Sequence, residues 1–183
     1  ILGMPHVGTW LPDDLIARLN DNGRALADTD WHIARLYDGL LPGATTVAST
    51  VHRYALDANR DPAGVSLYPG QNTTSLCPTT DFEGQPIWAT GQEPTQDEIL
   101  ARRASFHTPY HRALEAEIDR VKARHGVAIL YDCHSIRSVI PFLFPGTLPV
   151  FSIGTNDGTT CAALIQCATA DACANAEGFT SVV

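Results

Sequence analysis

Val127-Ala128-Ile129-Leu130-Tyr131-Asp132-Cys133-His134-Ser135 is the stretch on which the fold turns. Five apolar residues run without a break and end at an aspartate, with a histidine two positions further on. A short continuous apolar run bounded by Gly126 and Asp132 suits a central strand buried on both faces. The chain carries a second copy of this pattern at its start, where Ile1-Leu2-Gly3-Met4 runs into Pro5-His6-Val7-Gly8. Each run delivers a histidine just past its end. In open α/β sheets, sites gather outside the carboxyl ends of strands. The two imidazoles are therefore candidates to converge.

Helical patterns lie between these runs. Asp13, after Pro12, is placed to cap a short helix carrying Leu15, Ile16 and Leu19, with Asn22-Gly23 as its stop. Asp28-Thr29-Asp30 precedes a helix in which Ile33, Leu36, Tyr37, Leu40 and Leu41 recur at helical spacing. Residues 45–51 are β-branched and read as a strand, and a further strand is expected over 53–56. From 61 to 94 the chain is rich in Pro, Gly, Thr and Asp without a period, as in a functional loop or lid. Thr95-Gln96-Asp97-Glu98 is a capping box. The helical region after it has the apolar stripe Phe106, Tyr110, Leu114, Ile118 and Val121. Pro109 should kink that region, or start a second helix capped by Thr108. Residues 150–153 read as a strand and 159–170 as a helix. Strands alternating with helices predict an α/β fold with a mostly parallel sheet.

Composition narrows the function. The chain has 183 residues, 44% hydrophobic and 17% charged, with a formal net charge of -8. That is a globular composition with enough chain for a sizeable core. The acidic balance disfavours a nucleic-acid partner. A small acidic substrate remains compatible with it, because a few local arginines override a global charge. No apolar run reaches the roughly 18 residues that span a bilayer. Cys77, Cys133, Cys161, Cys167 and Cys173 form neither a disulfide framework nor a Cys-x-x-Cys pair, and read as reduced cytoplasmic thiols. Residue 1 already lies in a strand pattern and the chain stops in another at 179–183, so a fragment is expected.

The chemistry-bearing residues follow from these placements. A catalytic zinc needs three protein ligands. His6 and His134 supply two; Asp30 is the natural third and Asp28 the runner-up. Each also has an ordinary reading, the histidines as loop residues and Asp30 as a helix cap. His32, His52 and His125 read as surface residues. In Asp57-Ala58-Asn59-Arg60, Arg60 offers a planar fork for a carboxylate, although Asp and Asn also favour plain turns. Arg137 sits three residues after His134. Tyr110 and His111 lie where a kinked helix could aim a side chain into a cleft. Cys133 should point away from His134, since side chains alternate along extended chain.

Taken in order, Pro5-His6-Val7-Gly8-Thr9, Thr29-Asp30-Trp31-His32, Asp57-Ala58-Asn59-Arg60, Cys77-Pro78-Thr79-Thr80, residues 132–138 and Gly154-Thr155-Asn156-Asp157-Gly158 resemble the N-formylglutamate amidohydrolases over nearly the whole chain. The resemblance implies a three-layer α/β/α fold with a mostly parallel mixed sheet, like that of zinc exopeptidases. It implies one catalytic domain over 1–183 that cleaves N-formyl-L-glutamate to formate and L-glutamate in bacterial histidine degradation. It implies His6, Asp30 and His134 as zinc ligands, another divalent metal being possible, and Asn59, Arg60 and Arg137 on the substrate side, with Arg137 also stabilising the oxyanion. The family's general base, a glutamate on a later strand, is expected beyond residue 183. The alternatives are the same chemistry on another N-acyl amino acid or a γ-glutamyl peptide, a catalytically dead binding protein on the same fold, and a structural protein with a buried histidine pair.

Overall fold

The structure is a computed structural model that describes residues 1–65 and 73–183. It divides into two compact units, Ile1–Ile136 and Arg137–Val183. Part of the irregular 61–94 stretch lies outside the described residues.

The first unit is built on a three-stranded parallel sheet in the order β2-β1-β3: β1 Leu2–Met4, β2 Thr46–Ala48 and β3 Tyr131–Asp132. Leu2 pairs with Thr46 on one side and with Tyr131 on the other, and Gly3 with Val47 and Asp132. Among the described residues β1 therefore lies between the other two strands of this sheet, and β3 pairs on one side. Among the described residues β3 pairs with β1 alone, and Val127, Ile129, Leu130 and Tyr131 are exposed. An unbroken apolar run marks strand tendency but does not say which strand sits in the middle.

Between β1 and β2 the chain forms α1 Asp13–Arg18, α2 Asp21–Arg24 and α3 Ile33–Tyr37. Asp13 is the first helical residue of α1 and Pro12 its cap position. Asn22-Gly23 lies inside α2, which Asn20 caps by accepting from the Gly23 N–H. Gly23 packs too close to the Ile87 carbonyl for any Cβ, which would stand 2.2 Å from that oxygen. The predicted apolar face of α3 is only partly used. Ile33 is buried, whereas Leu36, Leu40 and Leu41 are exposed, and the helix stops at Tyr37. Its cap position is His32 at φ 68°, not Asp30.

The capping box forms as read: Thr95 and Glu98 exchange hydrogen bonds at the start of α4, Gln96–Arg102. Pro109 lies in the first turn of a second helix, as the second alternative expects, although His107 and not Thr108 is its cap position. The chain passes through one π-helical turn, Arg103–His107, into α5, Thr108–His125. The Thr108 N–H reaches back five residues to the Arg103 carbonyl. A wider turn accommodates the ring that would strike the preceding carbonyl in a regular helix. Residues 53–56 form a turn rather than a strand.

Leu11, Leu15, Leu19, Tyr54, Ala55, Ile87 and Trp88 make one core cluster. Leu2, Met4, Ile33 and Cys133 make another, with Cys133 buried in it. In the second unit, β4 Phe151–Ser152 and β5 Ser181–Val182 pair in parallel, with α6 Ala163–Ala174 between them in sequence. No helix among the described residues is long and apolar enough to cross a membrane.

Candidate metal centre

Parallel pairing places the exits of β1, β2 and β3 at one end of the sheet. Gly3 stands opposite Asp132, so His6 leaves β1 and His134 leaves β3 at neighbouring points. The chain leaving β2 reaches the turn 52–57, which brings Arg53 and Asp57 to the same end. Asp30 is fixed by its backbone N–H, which donates to the His6 carbonyl at 3.0 Å.

These three exits build one cluster. His6 Nδ1 lies 3.2 Å from His134 Nδ1, and Asp30 Oδ2 lies 3.0 Å from His134 Nδ1 and 3.7 Å from His6 Nδ1. Side-chain exposure is 4% for His6, 2% for Asp30 and 34% for His134, so the cluster opens to solvent on the His134 side. His6, Asp30 and His134 are the one group of metal-capable side chains of this kind among the described residues.

The second nitrogen of each ring is already committed. His6 Nε2 is 2.7 Å from Asp57 Oδ1, and His134 Nε2 is 2.9 Å from Asp132 Oδ2. A carboxylate can only accept, so each Nε2 carries a proton and each Nδ1 is turned towards the other ring and Asp30. Two such nitrogens in van der Waals contact beside a carboxylate need a cation or a shared proton among them. The donor triangle fits a metal. Ligand atoms about 2.0–2.2 Å from a tetrahedral zinc stand about 3.3–3.6 Å apart, and the observed edges of 3.0, 3.2 and 3.7 Å bracket that span. A carboxylate behind each ligating histidine is the usual support of such a site.

Arg53 ties the acidic groups together. Its Nη2 donates to Asp57 Oδ2 at 2.5 Å, its Nη1 lies 3.9 Å from Asp30 Oδ1, and its guanidinium sits over the Phe82 ring. Burial alone would raise the Asp57 carboxyl; Arg53 and His6 outweigh it and hold the group well below the usual carboxylate range. Burial likewise works against the Asp30 anion, and the hydrogen bonds with His134 and His6 hold it far below its ordinary value. For His134 burial opposes the charge, but Asp132 and Asp30 prevail and push the imidazole up to about 9. His6, Asp30 and His134 are thus a group that could hold a metal ion.

Asp28, the runner-up ligand, has another role. Its Oδ2 accepts from the Tyr54 hydroxyl and from the Phe82 N–H, both at 2.9 Å, and it is buried away from the imidazole pair. His52 is a correction. It was read as a surface residue and is fully buried. Its Nδ1 accepts from the Tyr54 N–H, so its Nε2 donates to Thr29 Oγ1 at 3.0 Å. Burial and the neighbouring Arg53 push its pKa down to about 3. His32 and His125 are exposed as read.

Asn59 stands beside the cluster, its amide nitrogen 3.2 Å from His134 Nε2. Arg60 is engaged with the chain itself. It donates to the Thr74 carbonyl and hydroxyl and to the Asn59 carbonyl, and lies 3.8 Å from Asp57. Arg137 is an exposed residue that begins the second unit. Sequence reasoning missed Arg53 and the supporting roles of Asp57 and Asp132. The signal available was an acidic residue two positions before His134, and an Arg-x-x-x-Asp pair after the strand at 46–48.

Fold and site together define an α/β protein with a two-histidine, one-aspartate group that could hold a metal ion at the carboxyl end of a parallel sheet. The profile of the N-formylglutamate amidohydrolase family matches residues 1–183. The chain is 44% identical to an N-formylglutamate deformylase of Pseudomonas aeruginosa, over all of this chain and 69% of the relative. It is 40% identical to one of Pseudomonas putida, over all of this chain and 68% of the relative. A crystal structure of N-formylglutamate amidohydrolase from Ralstonia eutropha superposes with a TM-score of 0.77 at 24% identity, over 99% of this chain and 70% of that one. A gene product of Agrobacterium tumefaciens gives 0.69 at 20% identity, over 99% and 66%. This chain belongs to the N-formylglutamate amidohydrolase family.

Proposed function

We propose that this protein is a zinc-dependent amidohydrolase that cleaves N-formyl-L-glutamate to formate and L-glutamate, serving histidine degradation in the cytoplasm on the three-layer zinc-exopeptidase-like fold of its family. The observation that carries the reading is the paired presentation of His6 Nδ1 and His134 Nδ1 beside Asp30, each ring backed by a carboxylate. The names of the relatives supply the substrate.

His6, Asp30 and His134 would hold the metal. When bound there, a divalent metal supplies a Lewis acid for the formyl oxygen and lowers the pKa of water from 15.7 to about 7. Asp57 and Asp132 accept from the Nε2–H of the two imidazoles, so both Nδ1 atoms face the cluster, and a bound metal would take the place of the proton that His134 Nδ1 shares with Asp30. Arg53 offsets the charge of Asp30 and Asp57 in the buried part of the cluster. The open side at His134, next to Asn59, is where the scissile amide would approach. Asn59 and Arg60 are assigned to the glutamate carboxylates and Arg137 to the developing oxyanion, on motif placement. The cluster's three carboxylates are occupied: Asp30 on the metal side, Asp57 on His6 and Asp132 on His134. The base that takes the water proton is assigned to the family's glutamate on the resemblance alone.

Purified protein tests this directly. His134→Ala is expected to lose bound zinc and formate release together, and unchanged values for both would refute the ligand assignment. Turnover of other N-acyl amino acids or γ-glutamyl peptides without formate from N-formylglutamate would move the substrate. Zinc bound without any turnover would mark a binding protein.

A further inference from the structure

The segment 57–60 has no strand partner, yet it carries two of the groups around the metal cluster. Asp57 backs His6, and Asn59 stands next to His134. At its start the segment is held by the Asp57 N–H on the Leu76 carbonyl and by the Asn59 N–H on Asp57 Oδ1. The two carbonyls on either side of Asn59 would otherwise need partners. Each meets an imidazole: His111 Nε2 lies 2.8 Å from the Ala58 carbonyl, and His107 Nε2 lies 3.1 Å from the Arg60 carbonyl. A carbonyl only accepts, so both nitrogens carry the proton and donate.

The two rings act as a pair. They stack with centroids 4.2 Å apart at an interplanar angle of 30°. They come from the helical region whose register is shifted by the π-helical turn Arg103–His107, and His107 closes that turn. Such turns are rare, and where they occur they re-aim side chains at functional sites. Here the turn sets His107 and His111 over the carbonyls of Ala58 and Arg60, the residues before and after Asn59.

We infer that His107 and His111 are positioning residues, whose ring N–H groups clamp the Ala58 and Arg60 carbonyls and thereby hold Asn59 at the mouth of the metal cluster for substrate recognition. This rests on the proposed function for its link to substrate, but the clamp itself stands on geometry. The stack without donors is His107→Phe/His111→Phe; donors without the ring are His107→Gln/His111→Gln. Three readouts are taken on the protein: zinc content, kcat and KM for N-formyl-L-glutamate, and hydrogen exchange of the Asn59 amide.

The Phe pair is expected to raise KM about tenfold, the scale of one lost buried hydrogen bond, with kcat and zinc content unchanged and Asn59 exchange faster. The Gln pair is expected to restore both KM and exchange. A folded Phe pair with either KM or Asn59 exchange at the wild-type value would overturn the inference. If the Phe pair does not fold, the single His107→Phe and His111→Phe variants are read in its place. If the wild-type protein releases no formate, the functional reading falls. The clamp is then decided by exchange alone, supported when the Phe pair loses Asn59 protection and the Gln pair keeps it, and overturned when exchange does not change.

Discussion

Side chains behind the candidate ligands set how the cluster would hold a metal. Asp57 fixes the tautomer of His6 and is itself held by Arg53. Asp57→Asn offers His6 a poorer acceptor and leaves Arg53 short of a charge partner. Loss of such a supporting carboxylate weakens metal affinity by about 10–100-fold, and competition with a chelator of known affinity would measure it. An unchanged zinc affinity would remove Asp57 from the site. His52 sets a pH limit. Its folded pKa, near 3, lies below the unfolded value near 6.5, so the unfolded chain binds the extra proton. Stability is complete above about pH 6.5 and falls as pH drops towards about 3, by up to about 1.4 kcal/mol per pH unit. Urea unfolding at pH 7 and pH 5 should show a steeper loss for the wild type than for His52→Gln, which keeps a donor for Thr29 but cannot charge.

The loop leaving β1 has to run flat against the chain leaving β2. The Trp10 N–H donates to the Thr50 carbonyl, and the His52 N–H to the Trp10 carbonyl. At Gly8 any Cβ would stand 2.4 Å from the Thr50 carbonyl carbon and 2.6 Å from the Val51 oxygen. Both are backbone atoms that cannot swing aside. Gly8→Ala should therefore destabilise by about 1–3 kcal/mol, the usual cost of overpacking. It should also weaken zinc binding, since His6 is two residues away. Thermal unfolding and metal titration of that variant check both, and a wild-type Tm would show that the two loops separate freely. The helices teach the opposite lesson about local signals. The capping box at Thr95 was legible because both of its bonds are local. The length of α3 was not, because Leu36, Leu40 and Leu41 carry helical spacing yet stay exposed among the described residues. Likewise Pro109 announced an irregularity, but only the packed helix shows that a π-helical turn absorbs it.

For the whole molecule, a metal held by the cluster would be a folding partner as well as a reagent. His6, Asp30 and His134 come from three widely separated stretches, so the unfolded chain has no assembled site. Binding to the native state alone stabilises by about 2.7 kcal/mol at a hundredfold excess of free metal over Kd. Tm should rise by several degrees when zinc is added to chelator-treated protein, and His134→Ala should abolish the rise. A Tm indifferent to zinc in the wild-type protein would argue against a resident metal.

The sequence by itself determined the parallel α/β class, the two strand-then-histidine motifs, and the candidate ligands His6, Asp30 and His134. These are written in local periodicity and in residue type next to a strand end. Tertiary structure alone decided that β1 lies between β2 and β3 among the described residues, that Asp28 and His52 are buried groups with structural partners, and that Asp57, Asp132 and Arg53 back the cluster. The physical reason is that centrality, burial and the partner of an imidazole's second nitrogen are properties of contacts between distant stretches. The residue types alone leave those contacts open, and register and packing select among them.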